Sequence, residues 1–125
     1  MVCTGESARW DQGWSARVPN PTQSDSGKEW MSIDAGAARE VYGVVTQGRV
    51  QHHARQWVTS YKVEVYLSGG WVPVTNEAGS FTFTGNTNTH TQVWQRFSNP
   101  VTTRYVKFIP LSWSWHISMR AGLLI

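Results

Sequence analysis

A chain of 125 residues is long enough for one domain with a single core, needing no metal or disulfide to staple it. Hydrophobic residues at 40% and charged ones at 15% exclude disorder, and a net charge of +3 without a clustered Lys/Arg motif argues against nucleic acid. With Cys3 the only cysteine, an internal disulfide is excluded, which fits a reducing compartment or a fragment.

The pattern in chain order is all-β. Residues 15–28 read as a long loop holding two prolines and several Asn, Asp and Ser turn formers. A strand is expected over 29–35, at most one helical turn over 35–39, and a second strand over 41–47. Residues 48–56 form another long loop, Gly48 to Gln56. Tyr61-Lys-Val-Glu-Val-Tyr-Leu67 then alternates cleanly, with Tyr61, Val63, Val65 and Leu67 on one face and Lys62, Glu64 and Tyr66 on the other. Ser68-Gly69-Gly70 turns the chain into residues 71–75, a hairpin signal. Pro73 puts that second strand at an edge or bulge, because it cannot donate to a ladder. Further strands are expected over 81–84, 91–97, 105–109 and 117–123. Short strands at this spacing, without sustained helical periodicity, indicate a sandwich or jelly roll.

Eight tryptophans are far more than such a small domain usually carries. Trp10, Trp14, Trp113 and Trp115 stand in turn-like contexts, and Trp57 closes the basic stretch Arg49-Val-Gln-His-His-Ala-Arg-Gln-Trp57. Flat amphipathic rings beside Arg and His suit a sugar, a lipid headgroup or a protein interface. Ser/His/Asp spacing, paired loop carboxylates and a phosphate-cradling glycine loop are all missing. The expectation is a binding module, not an enzyme. From residue 78 onward Arg96, Arg104, Lys107 and Arg120 meet no Asp or Glu, a mild bias that suits an anionic membrane, an acidic glycan or a carboxylate ligand.

Five blocks carry a family resemblance. They are Trp30-Met-Ser-Ile-Asp-Ala-Gly36; Thr46-Gln-Gly48 with Gln56-Trp-Val-Thr-Ser-Tyr-Lys-Val63; Phe83-Thr-Gly-Asn-Thr-Asn88; Asn99-Pro-Val-Thr-Thr-Arg-Tyr-Val-Lys-Phe-Ile-Pro110; and Pro110-Leu-Ser-Trp113 with His116-Ile-Ser-Met-Arg120. In this order, over about residues 8–123, they resemble the discoidin domain family (the coagulation factor V/VIII type C domain). The wording of residues 56–62 and 110–119 is nearest the discoidin-type lectins of slime moulds. The resemblance implies a distorted, galactose-binding-domain-like jelly-roll barrel of about eight main antiparallel strands, or the same set lacking its first. It also implies a single domain over 1–125, ligand-binding loops at one end and a non-enzymatic role in cell-surface or matrix recognition. The family's first strand and first apical spike should precede Ser7-Ala-Arg9, where eight residues stand before Arg9, and its usual closing cysteine is replaced by Ala121-Gly-Leu-Leu-Ile125.

The resemblance makes residues 48–57 an apical loop. There Arg49, His52, His53 and Arg55 can bond sugar hydroxyls or pair with phosphate, Arg through its fixed fork and His as donor or acceptor. The alternative is a solvated basic loop without a ligand. Trp113 corresponds to the family's loop tryptophan and serves as a stacking platform or is partly buried; Trp115, without a usual counterpart, is an extra apolar wedge if exposed. Asp11 and Gln12 add polar groups to a third wall, while Trp14 and Trp57 belong to the core. Asn86, Thr87 and Asn88 make a turn, with Gly85 supplying an unusual backbone angle. No cofactor is expected: His52 and His53 are adjacent and point apart, and calcium would find only Asp11 and Asp25 as carboxylates near these loops.

The expected partner is a glycan of the cell surface or matrix, galactose-type by resemblance. Alternatives are an anionic phospholipid membrane, with Trp10, Trp113 and Trp115 inserting beside Arg49 and Arg55, or a protein adhesion partner. With no apolar run near 18 residues, neither a signal peptide nor a transmembrane segment is expected. An extracellular or cell-surface setting follows from the resemblance only.

Overall fold

The computed structural model describes residues 2–3, 14–49 and 55–125. Eight strands appear: β1 (Val2–Cys3), β2 (Trp14–Ser15), β3 (Met31–Gln47), β4 (Trp57–Leu67), β5 (Gly70–Pro73), β6 (Phe83–Thr84), β7 (Val93–Ser114) and β8 (Ser118–Leu124). The one helical element described is a short 3₁₀ turn, Gln23–Asp25, in the first long loop. The sheet runs β1-β8-β3-β7-β4-β5, with β2 added on β8 and β6 on β4. All these pairings are antiparallel except β1 on β8. The path does not return to its first strand, so the expected jelly roll is an open sandwich and not a closed barrel.

Alternation decides which side is buried. Ile33 and Ala35 on β3, Tyr61, Val63 and Val65 on β4, and Val106 and Phe108 on β7 turn inward and join Phe83, Ile117, Met119 and Leu123 in one core. Tyr61 is fully buried, its ring stacked on Phe83 at 5.5 Å between centroids and tilted against Phe108 at 5.7 Å. On the other side of β3, Val45 and Leu124 form a smaller cluster beneath Trp94. The end of β3 is therefore covered on both faces.

Two expected breaks are bulges. Between Asp34 and Arg39, β3 advances five residues while β7 retreats only two, from Tyr105 to Thr103. Residues 35–39 thus lie inside the strand, with Gly36 at φ +85° starting the excursion, and not in a helical turn. Between Arg96 and Val101 it is β7 that advances five against two on β3, which restores the register. The strands expected over 29–35 and 41–47 are consequently one, as are those over 91–97 and 105–109, because a bulge bends a ladder without ending it.

The hairpin of β4 and β5 forms as expected. Ser68 and Gly69 both take positive φ, +48° and +86°, the turn that matches strand twist. Pro73 lies on β5, the outermost strand of the path, opposite Glu64.

Candidate functional site

At one end of the sandwich, β3 leaves through Gly48 and Arg49, and the chain re-enters β4 through Arg55 and Gln56. The Arg49 amide donates to the Gln56 carbonyl at 3.0 Å, closing the base of this loop. Gly48 is needed there for space: a Cβ would stand 2.7 Å from Thr89 Cα and 2.9 Å from the Gln56 carbonyl oxygen. Arg120 on β8 braces the same base from below, its Nε donating to Gly48 O at 2.7 Å and an Nη to Thr89 O at 2.8 Å. Burial pushes the Arg120 pKa down from its ordinary value, so these two carbonyls hold a charge that is partly stripped of water.

A chain of side-chain contacts spans this end. Arg49 Nη1 donates to Gln56 Oε1 at 3.3 Å, and the Ser118 hydroxyl donates to the same oxygen at 2.9 Å. Ser118 Oγ lies 2.9 Å from Ser15 Oγ, which lies 3.2 Å from His116 Nδ1. The opposite ring nitrogen, Nε2, is 3.0 Å from the Val18 carbonyl. A carbonyl can only accept, so Nε2 carries a proton. Arg49 Nη1 also donates to Ser15 Oγ at 3.5 Å, which ties the guanidinium to this chain at two points.

β7 ends at Ser114, and Trp115 follows at φ +61°, a backbone region that bulky side chains rarely enter. The His116 amide donates back to the Ser114 carbonyl at 2.7 Å, closing a three-residue γ-turn around Trp115. Trp115 is 69% exposed, and the Arg55 guanidinium sits 4.8 Å from the centre of its ring. Strain of this kind costs on the order of 1–3 kcal/mol and persists where the surroundings impose it. Here it turns an indole outward beside a guanidinium.

The sequence-derived candidates separate as follows. Arg49, Arg55 and Trp115 come together at this end. Trp113 pairs with Val58 across β7 and β4 and packs half-buried on the core, so it offers less than a free platform. Asp11, His52 and His53 lie outside the described residues, as does Trp10. Asp25 is engaged locally, accepting from the Thr22 amide at 2.8 Å at the start of the 3₁₀ turn. Trp14 is half-buried against the core. Among the described residues no three of His, Cys, Asp and Glu gather as a metal site.

Two expectations for the loop after β6 are corrected. Gly85 does not take a positive φ; a Cβ there would collide with the Val58 carbonyl oxygen, so glycine is required for close approach of backbones. Asn86 does more than turn the chain. It is buried, and its Nδ2 donates to Thr46 O at 3.0 Å and Thr91 O at 2.9 Å, tying this loop to the end of β3. Asn88 does the turning, its Oδ1 accepting from the His90 and Thr91 amides. Sequence reasoning missed Ser15, Gln56, His116, Ser118 and Arg120 as builders of the site. All but Ser15 stood in a quoted motif, yet none carries a local signal of its role.

Three comparisons bear on this geometry. The model of the F5/8 type C domain matches residues 4–123. Mouse lactadherin is 37% identical over 103 residues, 82% of this chain and 22% of that protein. Mouse neuropilin-1 is 37% identical over 125 residues, 91% of this chain and 14% of that protein. This chain therefore spans less than a quarter of either relative. Among solved structures, discoidin II of Dictyostelium discoideum superposes with a TM-score of 0.71 at 25% identity, covering 98% of this chain and 47% of that one.

Proposed function

The chain belongs to the F5/8 type C (discoidin) domain family, whose members bind carbohydrate, phospholipid or proteins, and from that premise we propose a non-enzymatic binding module that takes carbohydrate of the galactose type at its apical end. The carrying observation is Trp115, held 69% exposed in a left-handed γ-turn beneath Arg55. The indole offers a flat apolar surface to the C–H face of a pyranose, and Arg55 and Arg49 offer fixed donors to its hydroxyls. Behind them, half-buried Ser15 and His116 add a chain of polar contacts that a sugar hydroxyl can join. His52, His53, Asp11 and the exposed part of Trp113 belong to the proposed contact set by their place in sequence. The test is a titration with galactose and N-acetylgalactosamine followed by tryptophan fluorescence. Arg55→Ala with Trp115→Ala is expected to abolish binding; unchanged binding in the double variant removes this site.

One observation favours a second reading. An indole exposed at a turn beside two arginines also suits insertion into an anionic bilayer, the ring at headgroup depth and the cations on phosphates. Sedimentation with phosphatidylserine vesicles separates the two: association that grows with phosphatidylserine and fades with salt supports the membrane reading. The family supports an extracellular or cell-surface setting. No helix among the described residues is long and apolar enough to cross a membrane.

A further inference from the structure

The outward face of the sheet, on strands β5, β4, β7 and β3, carries a second collection of rings and charges. Register sets Trp71 on β5 opposite Tyr66 on β4, and Val65 opposite Val106, which brings Tyr66 beside Tyr105 on β7; Tyr105 in turn faces Asp34 on β3. One step along, Pro73, Glu64, Lys107 and Ser32 form a parallel row. Either row crosses three inter-strand steps, about 14 Å. Tyr66 meets Trp71 edge-on at 5.3 Å and Tyr105 edge-on at 6.2 Å. The Lys107 ammonium lies 4.1 Å from the centre of Trp71 and 4.6 Å from that of Trp30, held between two indoles. Trp30 is 52% exposed, Tyr66 39% and Trp71 36%.

The charges in contact with these rings pair off. Arg104 makes a two-pronged bond to Asp34 at 2.8 and 3.0 Å and covers the Tyr105 ring at 5.2 Å, and Lys107 lies 3.8 Å from Glu64. The surface is therefore rigid, aromatic and close to neutral. With two of its cations neutralised, the patch gives an anionic bilayer or nucleic acid little field to follow. Protein interfaces deplete their centres of Lys, Glu and Asp, whereas here Lys107, Glu64 and Asp34 stand among the rings. At the β5 edge the patch meets a groove of about 290 Å³ lined by uncharged residues, Pro73, Phe81, Asn99 and Val101 among them.

We infer that this sheet face is a second binding site, for a neutral oligosaccharide lying across the strands with its sugar faces on Trp71 and Tyr66 and its hydroxyls on Asp34, Glu64 and Lys107. Rings already fixed by edge and cation contacts lose little freedom on binding. The site goes beyond the apical reading and does not depend on it. It is tested by titrating the protein with neutral tetrasaccharides of β-linked galactose or glucose while following the indole N–H signals of Trp30 and Trp71 by NMR. Saturable shifts of both are expected. Trp71→Ala should weaken binding about tenfold, Trp71→Phe should retain most of it, and Arg55→Ala should leave it unchanged. Since Trp71 is exposed, the alanine variant keeps its core, and unchanged core signals verify this. Indoles that do not move, shifts abolished by Arg55→Ala, shifts produced by raising protein concentration alone, or shifts seen only with phosphatidylserine vesicles would each overturn the proposal.

Discussion

The apical end and the outward sheet face recruit the same side chains, tryptophan with arginine or lysine, into opposite electrostatic states. On the sheet face Arg104 has Asp34 and Lys107 has Glu64, and each cation also covers a ring. At the apical end, among the described residues, Arg49 and Arg55 have no carboxylate within ion-pair distance; Arg49 bonds a neutral amide and Arg55 an indole. The backbone differs in the same sense. The sheet face rests on regular cross-strand pairs, whereas the apical end relies on a strained Trp115 and on loops bolted down by Arg120 and Asn86. A matched surface selects shape. An unmatched one adds a field, which salt can screen.

The contrast can be broken most forcefully at Gly48. Gly48→Ala forces a Cβ against Thr89 and the Gln56 carbonyl, with an expected loss of about 2–3 kcal/mol in urea unfolding. Apical binding should vanish while the Trp30 and Trp71 signals stay in place. Next comes Arg120→Ala, which strips two partly buried carbonyls of their donor and is expected to cost about 2 kcal/mol. Its binding loss should again be confined to the apical end, read by the same titrations.

Trp115→Gly sharpens the comparison in the other direction. Relieving a left-handed tryptophan should leave stability unchanged or raise it by about 1 kcal/mol, although apical affinity drops about tenfold or more. A variant that lost stability along with affinity would show that the indole is a structural prop.

The smallest effect belongs to Asp34. The Arg104 guanidinium, followed by the Gly36 amide, lowers its pKa from 3.8 to about 2. A carboxylate depressed in the folded state adds stability that is complete above its unfolded pKa and is lost as pH falls through about 2. Carbon-detected titration should find Asp34 near 2 and, in Arg104→Ala, closer to 3.8. With both side chains about half exposed, this pair should alter acid stability only slightly.

What could be read from sequence followed from how local its signals are. The alternation of residues 61–67 and the Ser68-Gly69 turn sit within a few residues, so the hairpin was legible. Arg49, Arg55 and Trp115 could be nominated from residue type and loop context. The bulges at 35–39 and 97–100 could not be read, since they depend on two distant strands absorbing each other's extra residues. The apical contact chain was equally hidden: Ser15 and Ser118 are 103 residues apart, and each looks ordinary until the sheet brings them together. Gly85 shows a further limit, because a glycine in a turn reads as a φ requirement when its neighbour across the sheet, Val58, is what demands it. Trp71 and Trp30 went unremarked as a pair, since Lys107 joins them only through register.

The most direct measurement is a galactose titration of the wild-type protein, Arg55→Ala and Trp115→Ala, at low and high salt, with NMR signals read at both the apical end and the sheet face. Saturable shifts centred on Trp115, Arg55 and Arg49, abolished in both variants, are the expected result. Shifts elsewhere with the apical signals unmoved, or affinity equal in all three proteins, would contradict the account.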